Sequence, residues 1–262
     1  NHVFPPRWRT VDDRYDARKI IEYQLRRLEY ARQQRLIVLR NGYGLGDIGV
    51  TKATSDGLEF SVAVKNLTDG HSVPTGFDAE RLVWLEVVVT DAGGAVVYQS
   101  GDLDPNGDVR DLHSTYVTNG VLPLDTDLFL LQSKFITLNA RGGEREQVLA
   151  VNYSVDPLPF IRPSTTSTIL TGQPTGARKH RYVIPPLAQR VATYAVKPEK
   201  LGGKAPYQVR VRLKAAMVPV NLVHEIQFVG FDYGMSPRQV ADAVVAGHEV
   251  LVEKLAIVRA AN

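Results

Sequence analysis

Oxygen-bearing side chains alternate in the string DLDPNGDVRD, where Asp102, Asp104, Asn106 and Asp108 occupy every second position and Asp111 follows. Oxygen ligands at relative positions 1, 3, 5 and 7, with glycine at position 6, are typical of the first half of a calcium-binding loop. The twelfth position holds a histidine rather than the bidentate glutamate of such loops. Asp, Asn and Gly are also typical of solvated turns. The string therefore leaves two interpretations open, a calcium site or a plain turn.

Histidine and cysteine restrict the chemistry further. The six histidines do not form an HExxH or HxxxH pair, so the sequence predicts no local zinc site. The chain has no cysteine, which excludes disulfides, thiol catalysis and covalent attachment of haem c within it. No GxSxG elbow or Walker loop occurs either. Since nothing supports catalysis, we expect a protein that is not an enzyme.

The elements that would position these residues change in character near residue 46. Residues 12–36 have a helical pattern, and the glycines that follow it end the helix. Alternating or continuous apolar residues then predict strands, and a serine–proline pair predicts a short helix near the C-terminus. The expected strands are 58–64, 82–89, 96–98, 146–153, 190–196, 207–213 and 248–258, and the expected helix is 238–246.

This succession predicts a mainly β fold, an antiparallel, immunoglobulin-like β-sandwich with an N-terminal α-helix and a short C-terminal helix. Two long segments, 103–145 and 154–186, are rich in Pro, Gly and Thr and are expected to be loops. The expected organisation is a lead-in and basic helix over residues 1–45, followed by the sandwich domain over 46–262. The chain begins at Asn1 without a methionine or signal peptide, which is typical of a processed or trimmed polypeptide.

Composition and charge are those of a globular protein with one basic segment. Apolar residues make up 44% of the chain and charged residues 23%, and no apolar run is long enough for a transmembrane helix. The net charge is +3, yet residues 7–40 alone hold ten Arg or Lys against five acids, or +5. A basic segment can bind nucleic acid, anionic lipid or an acidic protein, or can simply be a solvated helix face. The interleaved acids favour the solvated face over a nucleic-acid partner.

Two neighbouring strings carry a resemblance. They are VKNLTDGHSVPTGF at residues 64–77 and RLVWLEV at residues 81–87. Together they resemble the N-x-x-x-GH-x-x-PTG and R-x-x-WLEV signature of the haem-free β-sandwich at the C-terminal end of bacterial multihaem c-type cytochromes. The late string VRVRL at residues 209–213 continues the resemblance, which covers about residues 1–115 and 185–258.

The resemblance implies haem, although this chain departs from the family by having no CxxCH motif. Haem c would then be held outside these residues, on a missing region or on a partner chain. A histidine can still be the distal ligand of such a haem. His2, in the H-x-F string at the N-terminus, is the first candidate, and His71 of the signature is the second. The resemblance also implies contacts of the basic helix with haem propionates and acidic neighbours, through Arg26, Arg27, Arg32 and Arg35.

The sequence therefore predicts a non-catalytic structural or docking part of a multihaem c-type cytochrome electron-transfer complex. It would act in the periplasm or on the outer surface of a bacterium, as part of a larger complex with a haem-bearing region or subunit. The alternative function belongs to another class. It is a calcium-stabilised extracellular β-sandwich that binds carbohydrate or a surface protein, supported by the aspartate string.

Overall fold

The structure is a computed structural model that describes residues 10–75, 81–138, 144–148, 152–154, 178–180, 182–202, 205–227 and 234–259. The chain divides into two compact units, Asn1–Gly42 and Tyr43–Asn262. Among the residues described, no helix is both long and apolar enough to cross a membrane.

The first unit contains one long helix, α1, over Val11–Gly42. It extends six residues beyond the predicted end at residue 36, and the first strand follows directly at Tyr43. Large apolar side chains, among them Leu25, Leu28 and Val38, are more than half exposed on this helix. These side chains are therefore not covered as those of an ordinary core face would be.

The second unit is a sandwich of two antiparallel sheets, as predicted. In the first sheet β3 is central, and β1, β2 and β11 all pair with it. The second sheet has the strand order β13-β12-β4-β5, with β6 paired to the start of β4. The strands of the first sheet are β1 (Tyr43–Leu45), β2 (Gly49–Thr54), β3 (Gly57–Asn66) and β11 (Gln189–Val196). Those of the second are β4 (Leu82–Thr90), β5 (Val96–Ser100), β6 (Leu130–Leu131), β12 (Tyr207–Ala216) and β13 (Glu249–Val258).

A third, separate antiparallel sheet has the order β10-β7-β8-β9. Its strands are β7 (Lys134–Leu138), β8 (Glu144–Val148), β9 (Asn152–Ser154) and β10 (Arg178–His180). The prediction of one strand over 146–153 was therefore wrong, since β8 and β9 run antiparallel to each other. Within the described ranges, the other helices are α2 (Thr115–Thr118), α3 (Pro198–Leu201), α4 (Val220–Gln227) and α5 (Pro237–Ala246).

Every second side chain of β3 from Leu58 is buried, so one face of this strand lies in the core. Ring contacts join the two sheets of the sandwich. Within the first sheet, Tyr194 of β11 stacks on Phe60 of β3 with ring centroids 5.2 Å apart. Tyr98 of β5, in the second sheet, contacts the Tyr194 ring edge-on at 6.3 Å and so joins the two sheets. The core of the sandwich therefore lies between these strands.

The strand β4 is apolar along nearly its whole length because both of its faces are covered. One face, which includes Val89, lies on the side of Tyr98 and the first sheet. The opposite face carries Trp84, which is fully buried in a second cluster. This cluster lies under the segment that connects β5 to β6. That segment, which belongs to the predicted loop 103–145, therefore packs over the second sheet. The cluster consists of Leu82, Trp84, Val109, Leu130 and Ala216.

Candidate functional site

The signature segment folds around one buried side chain, Asn66 at the end of β3, which is 2% exposed. Its Nδ2 donates to the carbonyl oxygens of His71 at 2.7 Å, Ile184 at 3.0 Å and Pro185 at 3.0 Å. Its Oδ1 accepts from the backbone N–H of Thr68 at 2.9 Å and from the Thr68 hydroxyl at 2.7 Å. The amide therefore ties the signature to a segment more than 110 residues away.

Backbone hydrogen bonds extend the same junction. Val73 and Ile184 exchange N–H to carbonyl bonds of 2.9 and 2.8 Å, and the N–H of Leu187 donates to the carbonyl of Thr68 at 3.0 Å. Val73 and Ile184 are both buried. We call this junction of residues 66–73 with 184–188 the Asn66 hub. It fixes the backbone of the signature on both sides of its histidine.

The histidine of the signature, His71, is exposed. Only its carbonyl oxygen joins the hub, where it accepts from Asn66 and from the Thr68 hydroxyl at 3.0 Å. The imidazole is thus presented to the surroundings by a rigid backbone, an arrangement that suits a ligand to a metal centre outside the chain. The other candidate ligand, His2, lies outside the described residues, so nothing in the structure tests it.

The aspartate string folds as a turn organised by Asp104, which is 5% exposed. Its Oδ1 accepts from the backbone N–H groups of Asn106 at 2.8 Å, Gly107 at 2.9 Å and Asp108 at 3.1 Å. Its Oδ2 accepts from the Ser114 hydroxyl at 2.6 Å. This carboxylate therefore holds the turn together by hydrogen bonds alone.

The other predicted calcium ligands point to separate partners. Asp102 forms an ion pair with Arg110, and the Asn106 side-chain amide donates to Thr115. Asp108 accepts from the backbone N–H of Asn221 at 3.1 Å. Asp111 accepts from the backbone N–H of His113 and pairs with its Nδ1, both at 2.8 Å.

In the part of the chain that the structure describes, no three His, Asp or Glu side chains are placed to hold a metal ion. The geometry of Asp102, Asp104, Asn106, Asp108 and Asp111 therefore supports the plain turn rather than the calcium site. The physical reason is that short loops containing Asp and Asn satisfy their own backbone N–H groups first.

A small cavity of about 10 Å³ lies beside this turn. Its polar wall includes Asp108, Asp111, His113 and Asn221. Burial raises the pKa of Asp108 to about 7, the Asn221 hydrogen bond opposes this shift, and the negative charges of Asp104 and Asp111 add to it. A cavity of this size is large enough for about one water molecule and is too small for a substrate.

The fully buried Trp84 and the half-buried His248 form a ring pair that the sequence did not indicate as functional. The indole N–H of Trp84 donates to the carbonyl of Gly101 at 3.0 Å, and the His248 ring lies edge-on to it at 5.3 Å. Burial, with a smaller effect of the Lys214 charge, lowers the pKa of His248 to about 4. This imidazole is therefore neutral at pH 7 and packs against the indole.

The four arginines predicted to dock a partner do not form one face of α1. Nine residues separate Arg26 from Arg35, which places them about 180° apart round the helix. Arg26 and Arg27 are exposed, whereas Arg35 is half-buried. Arg32 is held by Glu29 through two hydrogen bonds of 2.9 Å. The four arginines therefore project from different sides of the helix.

No protein-family model matches this chain, and no curated protein is similar to it. Among solved structures it is similar to a penta-haem cytochrome c552 from Thermochromatium tepidum, with 15% identity and a TM-score of 0.49. The likeness covers 85% of this chain and 41% of that chain, so the chain spans about two-fifths of the cytochrome's length. At this distance the likeness does not transfer the cytochrome's haems or activity to this chain.

Proposed function

We propose that this chain is a non-catalytic docking part of a multihaem c-type cytochrome electron-transfer complex, with every haem bonded outside these residues. The observation that carries the proposal is the signature segment. Its residues form a hub around Asn66 that leaves the His71 imidazole exposed. A structural motif that fixes a backbone and presents one imidazole is suited to a neighbouring haem whose distal position is open.

In this proposal His71 supplies Nε2 or Nδ1 to the iron of a haem on another region or subunit. The sandwich acts as the rigid support, since strands β3 and β11 pair over eight residues directly behind the hub. A rigid support matters because an axial ligand must keep its ring orientation to keep the haem potential constant. In this proposal the protein works in the periplasm or on the outer surface of a bacterium.

The test is to isolate the native polypeptide, with a small affinity tag, from its own host. We expect a covalent haem signal in the pyridine haemochrome spectrum of the purified material. On a denaturing gel, haem staining should mark either a companion polypeptide or a longer form of this chain. A colourless preparation with no haem-stained band would overturn the proposal.

His71→Ala tests the ligand role separately. We expect the haem-bearing material still to co-purify, with the loss of one bis-histidine signal in the near-infrared magnetic circular dichroism spectrum. His224→Ala is the matched control, because the His224 ring bonds the carbonyl of Pro237 in its own chain at 3.0 Å. A spectrum identical in all three proteins would remove His71 from the proposal.

A further inference from the structure

One side of α1 combines exposed aromatic and cationic side chains. Tyr23 is 49% exposed and Tyr30 is 64% exposed, and both line a shallow recess with Arg26 and Arg27. We call Tyr23, Arg26, Arg27 and Tyr30 the Tyr–Arg face. Because the two tyrosines are seven residues apart, about two helical turns, they project from the same side at a spacing of about 10 Å.

Two side chains of this face, Tyr23 and Arg27, contact each other. The Arg27 Nη1 donates to the Tyr23 hydroxyl at 3.2 Å, and the Arg27 guanidinium lies 5.4 Å from the centre of the Tyr23 ring. Such a contact restricts the rotamers of both side chains. Less conformational entropy is then lost when a partner binds.

Charge is concentrated in the half of the helix that carries the face. Residues 23–42 contain five arginines and a single acid, Glu29, which gives +4. Residues 11–22 contain three basic and four acidic residues, which gives −1. The hydrogen bonds from Arg32 and then Gln33 hold the pKa of Glu29 at about 2, so this carboxylate is already satisfied within the helix. The complementary surface must therefore bring its own negative charge.

The apolar residues of α1 argue against a lipid surface as the partner. A helix that lies in a membrane interface gathers its apolar side chains on one face. On α1 the exposed Ile20 and Leu25 are about 140° apart round the helix, and both are more than half exposed. Tyr and Arg, in contrast, are the residues that contribute most to the centres of protein–protein interfaces.

We propose that the Tyr–Arg face binds an acidic surface of a protein partner, with Arg26 and Arg27 paired to carboxylates and the two tyrosines packed between them. This inference rests on the proposed function only for the identity of that partner, the haem-bearing polypeptide. Of the four predicted docking arginines, it assigns Arg26 and Arg27 to the partner, whereas Arg32 stays paired with Glu29.

The test is site-specific photo-crosslinking of the full chain in its native host. p-Benzoylphenylalanine replaces Tyr30 and, in a second protein, Tyr23, and Tyr182 serves as the control position because it is exposed on the other unit. We expect an adduct from positions 23 and 30 whose crosslinked peptide is rich in Asp and Glu. We expect no such adduct from position 182.

Charge reversal locates the contact. Arg26→Glu with Arg27→Glu should lower the adduct yield by about tenfold or more, the effect of losing about 1.4 kcal/mol of binding free energy. Arg14→Glu with Arg18→Glu makes the same charge change on the same helix and should leave the yield unchanged. Glu has nearly the helix propensity of Arg, and circular dichroism verifies that both variants keep the helix.

The remaining outcomes each decide the inference. An acidic adduct without haem supports the Tyr–Arg face and rejects the haem-bearing partner. A haem-bearing companion that co-purifies without any adduct at positions 23 and 30 rejects the face and keeps the proposed function. An adduct with a second copy of this chain, with a non-acidic peptide or with lipid, or equal loss in both charge variants, would also overturn the inference.

Discussion

At the residue scale, the Asn66 amide has the most partners in the signature. It donates to three carbonyl oxygens and accepts from the Thr68 hydroxyl, and the side chain is almost completely buried. Removing one partner from buried polar groups costs more than the bond itself contributes, because the remaining groups lose water without gaining a partner. The asparagine of the signature is therefore explained by the fold, while the exposed His71 needs another explanation.

Asn66→Ala should lower the free energy of unfolding by about 2–4 kcal/mol, because it leaves several backbone groups of the hub unpaired. Asn106→Ala is the matched control, since its amide makes a single exposed bond of 3.3 Å and its loss should cost less than about 1 kcal/mol. Urea unfolding followed by Trp fluorescence measures both. Equal losses in the two variants would contradict the role of the hub.

The carboxyl of Asp108 should make stability depend on pH. Its pKa is raised to about 7 in the folded protein, mainly by burial, against about 3.9 in an unfolded chain. The folded state thus keeps a proton that the unfolded state releases between about pH 4 and 7, so the free energy of unfolding falls as the pH rises through this interval.

Asp108→Asn removes this proton uptake and keeps an acceptor for the Asn221 N–H. Relative to the wild type, the variant should gain stability between about pH 4 and 8, by about 1–4 kcal/mol in total. Asp56→Asn, at an exposed turn, is the control and should follow the wild type. If all three proteins show the same pH profile in urea unfolding, Asp108 does not titrate in this range.

At the scale of elements, the segment from β5 to β6 behaves as a cover for the second sheet. Asp125 fixes its beginning, accepting from the Ser100 hydroxyl and from the Gly101 N–H at 2.6 Å. Trp84 bonds the carbonyl of the same glycine. The chain reverses there with a φ of +74° at Gly101, directly against the backbone of Leu85.

Gly101→Ala and Gly120→Ala separate crowding from backbone strain. Both glycines have a φ of +74°, but a Cβ at Gly101 would lie 1.9 Å from the Leu85 carbonyl oxygen, whereas at Gly120 nothing lies within 4 Å. Gly120→Ala should cost about 1–2 kcal/mol from the left-handed backbone alone. Gly101→Ala should cost clearly more or prevent folding. Comparable thermal midpoints for the two variants would show that the cover is not packed this closely.

The aspartate turn also predicts a response to metal. Since the carboxylates of Asp102, Asp104, Asp108 and Asp111 each bond to groups of the protein, we expect calcium not to bind there. The thermal midpoint should be the same in millimolar calcium chloride and in EDTA. A midpoint that rises with calcium would restore the calcium interpretation of the string.

At the scale of the whole molecule, the division at Gly42 and Tyr43 separates a charged helix from a unit with its own core. The residues buried in the sandwich, such as Phe60, Trp84 and Val211, come from strands of the second unit. An apolar core of that kind supplies the main favourable term in folding.

The fragment Tyr43–Asn262 should therefore fold without the first unit. We expect one cooperative urea transition with a midpoint close to that of the full chain, and a near-ultraviolet circular dichroism signal from the buried Trp84. A fragment that exposes Trp84 or unfolds without a cooperative transition would show that α1 contributes to the core.

The sequence alone determined the features that depend on neighbouring residues. Alternation predicted β3 and β12, the apolar runs over 82–89 and 96–98 predicted β4 and β5, and Ser236–Pro237 predicted α5, whose capping box with Gln239 the structure contains. Each of these follows from periodicity or turn chemistry within about ten residues. The succession of strands separated by turns also favoured the sandwich.

Only the tertiary structure decided the features that depend on distant residues. The hub joins Asn66 to Ile184, a distant segment covers the start of β4 on the face that carries Trp84, and Asp108 accepts from the backbone N–H of Asn221. Such partners come together only when the chain folds, and a local pattern carries no information about which of them will meet.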